Sequence, residues 1–148
     1  MRLKDKVAII TGAGQSEADG MGNGRATALS FARQGAKLML ANRSSPSMDE
    51  TARQVRAEGF AVESMLADIT NEDDCRQLMA ATTQAFGRID ILHNNVGAGT
   101  VEGDTADIDL AAWRQCLEMN LTGPMLLSKH VLPIMRAQQS GCITHTSS

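Results

Sequence analysis

Tyrosine is missing from the 148 residues, and the other aromatics are one tryptophan and three phenylalanines. No phenol is present to donate or accept a proton, and the interior must be filled by aliphatic side chains and nine methionines, whose thioethers pack adaptably. Cysteine is also scarce. Cys75, Cys116 and Cys142 lie far apart and share no ligand spacing with His93, His130 or His145. The pattern points to reduced thiols in a cytoplasmic protein and offers no metal site; each histidine reads as a packing or surface residue. No apolar run approaches the length of a bilayer span, and residues 1–5 lead directly into the first strand, so neither a membrane segment nor a secretory leader is expected. The formal charge is −3 and the basic residues are dispersed, which argues against a nucleic-acid footprint.

The length suits one domain, spanning residues 1–148, that buries about two thirds of its unfolded surface. The first strand is predicted over Lys6-Val7-Ala8-Ile9-Ile10-Thr11, an apolar run of the kind found in a buried parallel strand. Gly12-Ala13-Gly14 follows it and, after a polar detour, Gly22-Asn23-Gly24-Arg25. A helix is predicted from about Gly24 to Gln34, with Gly35 as its left-handed cap. Glycines between a strand and a helix leave backbone N–H groups pointing outward at the positive end of the helix dipole, where a pyrophosphate would be attracted. Glycines serving turn geometry alone are the alternative.

The strand–helix rhythm then repeats. Strands are predicted over residues 37–42, 61–66, 89–94 and 142–146. Helices are predicted over 48–58, from a Thr70-x-x-Asp73 capping box to about Phe86, and over 110–135, with Pro124 bending the last one. Short connections between alternating strands and helices make an α/β, Rossmann-type doubly wound parallel sheet, ordered 3-2-1-4-5, in three layers. Ligands of such sheets bind beyond the carboxyl ends of the strands, near the switch point between strands 1 and 4. Gly12 to Gly24, Asn42-Arg43, Asp68-Ile69, Asn94 to Gly97 and Ser147-Ser148 all fall there.

With these segments in place the chain resembles the short-chain dehydrogenase/reductase family over essentially its whole length. The matching residues are Thr11-Gly12 with Gly22 and Gly24 (the family's TGxxxGxG), Asp68-Ile69, Asn94-Asn95-Val96-Gly97 (its NNAG), Asn120 in Met119-Asn120-Leu121, and Ser147-Ser148. The resemblance implies an NAD(P)-dependent oxidoreductase that transfers a hydride between the nicotinamide and a carbonyl or alcohol. It implies a pyrophosphate cradle of Gly12, Gly14, Gly22, Asn23 and Gly24, with Asp68 and Ile69 at the adenine and Asn95, Val96 and Gly97 beside the adenosine ribose. The catalytic roles it implies are Ser148, orienting the reacting oxygen, and Asn120, holding a relay water. Each also has a plain structural reading: Asp68 as a helix-capping acid, Asn95 and Gly97 as a turn, Asn120 as an amide that must find partners if buried.

Three departures from the family pattern stand out. Residues 16–21 are inserted between Gln15 and Gly22; Glu17 and Asp19 are expected to face solvent, since they would repel a pyrophosphate, and the insert could also form a lid or touch substrate. Asn42, followed by Arg43, stands where NAD-specific enzymes carry an acid. Asn removes repulsion of a 2′-phosphate and Arg43 can pair with it, so NADP is favoured over NAD, although Arg43 could instead stack on adenine. Finally, the family's YxxxK motif has no counterpart here. Loss of a general acid/base typically lowers the rate by about 10²–10⁴, so the resemblance implies a chain incomplete at its C-terminus and inactive alone. A non-catalytic dinucleotide-binding or regulatory protein, or a structural subunit, are the alternatives. Family oligomers pack the long helices after strands 4 and 5, implying a homodimer or tetramer in which Trp113, Leu117 and Leu127 face either the core or a second copy.

Overall fold

The computed structural model describes residues 1–14, 21–97 and 104–147. The elements follow in the order β1 (Val7–Thr11), α1 (Asn23–Arg33), β2 (Lys37–Asn42), α2 (Ser45–Ala57), β3 (Val62–Leu66), α3 (Glu72–Phe86), β4 (Ile91–Asn94), α4 (Leu110–Leu117), a π-helical turn (Glu118–Thr122), α5 (Gly123–Gln138) and β5 (Cys142–His145). All pairings are parallel, and the sheet order is β3-β2-β1-β4-β5, as the sequence pattern predicts.

Alternation along the central strands builds the three layers. Ala8 and Ile10 of β1, with Leu38 and Leu40 of β2, pack against Ala28, Leu29, Ala52 and Val55 of α1 and α2. Ile9 and Met39 point the other way, against Leu78 and Met79 of α3 and Leu127 and Val131 of α5. Each large side chain so buried contributes about 1.5–3 kcal/mol. Small residues on α1, Ala28 and Ala32, let that helix lie close to the sheet.

Several helix boundaries differ from the sequence expectation. Helix α2 starts at Ser45 rather than at residue 48, because Pro46 occupies its first turn, where a missing N–H leaves no bond unmade. The cap of α3 is Asn71, not Thr70: Asn71 Oδ1 accepts from the amides of Asp73 and Asp74 at 2.9 and 3.2 Å, while Thr70 is engaged by Asp68. The predicted 110–135 helix is two α-helices joined by the π turn. Pro124 contributes no N–H to the ladder, and just before it the Gly123 amide bonds the Glu118 carbonyl, five residues back. The helix therefore widens ahead of the proline instead of only bending. Leu127 is fully buried, whereas Trp113 and Leu117 are exposed, so Leu127 belongs to the core and not to an outer face. Within the described residues, no helix is long and apolar enough to cross a membrane.

At the amino ends of the strands one carboxylate ties the sheet together. Asp90 is buried, and accepts from Arg88 Nε and Nη2 at 2.8 and 2.7 Å, from the Val7 amide at 3.0 Å and from Lys6 Nζ at 3.4 Å. Burial alone would raise its pKa, but the Arg88 fork and the Val7 amide outweigh this and hold the carboxyl below the usual carboxylate range. A depressed folded pKa gives stability that is present above the unfolded value and lost as the pH falls through the folded one. Asp90→Asn is expected to lower stability at neutral pH by about 1–3 kcal/mol and to flatten the acid limb of a melting temperature against pH profile; an unchanged acid limb would contradict this account.

Candidate functional site

Beyond the carboxyl ends of β1, β2 and β4 lies a cavity of about 320 Å³, lined by Gly12, Gly14, Gly22, Asn23, Gly24, Asn42, Arg43, Asp68, Ile69, Asn95, Val96 and Gly97. Every residue that the sequence places around a dinucleotide is in that lining. Ser44, Ser47, Ala67 and Met119 complete it. The sequence reading missed the two serines, whose available signal is the Ser44-Ser45-Pro46-Ser47 helix start, with proline in the first turn; Met119 carried no signal of its own.

The cradle exists because Cβ atoms are missing. Gly12 has φ +63°, and a Cβ there would lie 2.9 Å from the Asn95 carbonyl oxygen. A Cβ on Gly24 would overlap the Gly12 carbonyl, and one on Gly14 would reach within 2.5 Å of Ser47 Oγ and 2.8 Å of Asn42 Nδ2. The first turn of α1 thus touches the end of β1, and its N-cap, Gly22, offers no side-chain hydrogen bond to the first-turn amides. Such an end presents N–H groups and positive dipole to an anion.

Asn95 fixes the rim. Its Nδ2 donates to the Gly12 carbonyl and its amide to Thr11 Oγ1, both at 3.2 Å, while its Oδ1 accepts from Thr146 Oγ1 at 3.2 Å. The ends of β1, β4 and β5 are joined through this one residue. Asp68 folds into a local turn: Oδ1 accepts from the Thr70 hydroxyl at 2.7 Å and the Thr70 amide at 2.9 Å. The Thr70 hydroxyl, then its amide, and the charge of Arg43 hold the carboxyl below its ordinary pKa. Asp68 and Arg43 are the charged residues of the described lining. Ile69 is buried; its carbonyl accepts from Cys75 Sγ at 3.2 Å, and burial pushes that thiol up to about 11, so Cys75 is an inert packing group. A Cβ on Gly123 would meet Ile69 Cδ1 at 2.6 Å, so the start of α5 packs directly on that side chain.

Asn120 is not in this cavity and is not buried. It lies on the π turn, donates from Nδ2 to the Cys116 carbonyl at 2.9 Å, and lines a second cavity of about 750 Å³ with Cys116, Leu121, Pro124, Met125, Ser128, His145, Thr146 and Ser147. The two cavities share Asn95, Val96 and Gly97. Ser148, Glu17 and Asp19 lie outside the described residues, as does most of the 16–21 insert; Met21 is exposed.

A family model described as short chain dehydrogenase matches residues 6–148. The chain belongs to the short-chain dehydrogenase family. The chain is 36% identical over 149 residues to levodione reductase of Leifsonia aquatica, covering 99% of the chain and 54% of that protein. Among solved structures it is similar to a short-chain dehydrogenase/reductase from Burkholderia xenovorans, with a TM-score of 0.94 and 44% identity over 99% of this chain and 57% of that one. A metagenomic short-chain oxidoreductase in complex with NADP matches with a TM-score of 0.90 and 30% identity, covering 100% of this chain and 64% of that one. NAD⁺-bound xylitol dehydrogenase matches at 0.92 and 30%, covering 100% and 55%. The chain spans about half the length of the curated relative it matches.

The glycine contacts give a direct test. Gly24→Ala is expected to push α1 away from β1, lowering stability by about 1–3 kcal/mol and abolishing dinucleotide binding in a fluorescence titration. Retained binding in a variant with an unchanged melting temperature would show that the close approach is dispensable.

Proposed function

We propose that the first cavity takes the adenosine diphosphate half of NAD(P), and that the chain is the cofactor-binding part of an oxidoreductase acting on a carbonyl/alcohol pair. The observation that carries this reading is the convergence of Gly12, Gly14 and Gly24 on one cavity, each at a spacing that a Cβ would fill. The cofactor would supply hydride transfer. The diphosphate would face the α1 amides, Asp68 and Ile69 would border the adenine, and Asn95, Val96 and Gly97 the ribose. Ser148 would orient the reacting oxygen and Asn120 would support the proton relay. The solved relatives bound to NADP and to NAD⁺ support a nicotinamide cofactor of either kind. The three cysteines, of which Cys75 is buried and none forms a disulfide among the described residues, support a cytoplasmic setting.

NADP is favoured. Asn42 leaves the ribose end of the cavity without the acid that would repel a 2′-phosphate, and the exposed Arg43 stands beside it. A charge-assisted hydrogen bond of about 1.5–3 kcal/mol would make NADPH bind roughly ten- to a hundredfold more tightly than NADH. Competitive titration is expected to show this ratio and its collapse in Arg43→Ala; tighter binding of NADH would overturn the preference. With no tyrosine in the 148 residues, the chain by itself is expected to bind dinucleotide and to reduce no carbonyl compound.

An apolar stripe of Leu110, Trp113 and Leu117 runs exposed along α4, and it supports association of copies through this helix. Light scattering is expected to give a dimer or tetramer that Trp113→Glu shifts to monomer. A monomeric wild-type chain at all concentrations would remove this assignment.

A further inference from the structure

One buried amide at the end of β4 has a consequence for the second cavity. Asn94 is 3% exposed, and its Nδ2 lies 3.3 Å from Nδ1 of His145, its register partner on β5. Its Oδ1 is enclosed, with no hydrogen-bond partner among the described residues. Turning the amide over would let Oδ1 accept from an Nδ1–H, but it would enclose an NH₂ group with its donors unmet. Orphaned buried N–H groups are rarer than under-satisfied carbonyl oxygens, so the orientation in which Nδ2 donates is the favoured one. The acceptor is then the Nδ1 lone pair, which puts the ring proton on Nε2.

His145 lines the second cavity beside Asn120, Thr146 and Ser147, and no Asp, Glu, Lys or Arg is among the described lining. We propose that Asn94 fixes His145 as an Nε2–H donor to a neutral oxygen ligand, a ketone or alcohol, held in that cavity. Asn94 is the positioning residue, acting through the imidazole. A neutral N–H suits an uncharged oxygen acceptor, and a site without ionic side chains holds no fixed charge to compete for it. The choice of ligand rests on the carbonyl/alcohol reading of the site, whereas the tautomer does not.

Long-range proton–nitrogen correlation NMR of the 148-residue chain, at a pH above the imidazole range, reads which ring nitrogen carries the proton. The expected result is His145 protonated on Nε2, with that Nε2–H resonance shifting when cyclohexanone is added. In Asn94→Asp the new carboxylate can only accept, and the proton is expected on Nδ1. A ring protonated on Nδ1 in the unmodified chain overturns the proposal, and this reading does not depend on any variant folding. An Nε2–H insensitive to cyclohexanone, or a folded Asn94→Asp chain with an unchanged tautomer, overturns it as well. NADPH titration followed at Gly12, Gly22 and Gly24 tests the oxidoreductase reading separately, since the tautomer requires no dinucleotide.

Discussion

The site depends on how closely three backbone segments meet at the carboxyl end of β1. Gly24 brings the first turn of α1 onto the Gly12 carbonyl, and Gly12, in a left-handed conformation, lies against the carbonyl of Asn95. No side chain larger than hydrogen fits at either glycine without moving a helix or a strand. Asn95 Nδ2 then donates to the Gly12 carbonyl, so the contact that excludes Cβ atoms is also hydrogen-bonded. Everything that gives the cavity its shape, including the direction of the α1 amides, follows from this junction.

Much of this was legible in the sequence, because the relevant signals are local. A strand of consecutive apolar residues, a glycine at each close approach and acids or amides at strand ends are written into short segments, and the parallel order follows from their alternation with helices. The twelve residues that the resemblance assigns to a dinucleotide share one cavity for the same reason: each stands at the carboxyl end of a strand, in the turn that follows or, for Asn23 and Gly24, in the first turn of α1.

What escaped the sequence reading depends on which of several competing partners a group takes once the chain is folded. The capping of α3 passed from Thr70 to Asn71 because Asp68 takes both the hydroxyl and the amide of Thr70. The π turn could not be seen from Pro124 alone, since a proline is compatible with a kink, a widened turn or a helix start. That turn places Met119 against the first cavity and Asn120 against its neighbour, a separation of adjacent residues that no periodicity expresses. Asn120, an amide that must find partners if buried, lies exposed and still binds the Cys116 carbonyl.

The Asp90 cluster stands at the amino ends of β1 and β4, and the cavity at their carboxyl ends. The same two strands therefore carry an ionic clasp at one end and a polar, glycine-built opening at the other, with an apolar middle of Ile9, Ile10 and Leu92 between them. Change at the clasp alters how firmly the strands are held without touching any group that lines the opening. Two independent adjustments, of durability and of recognition, are thus available along a single pair of strands.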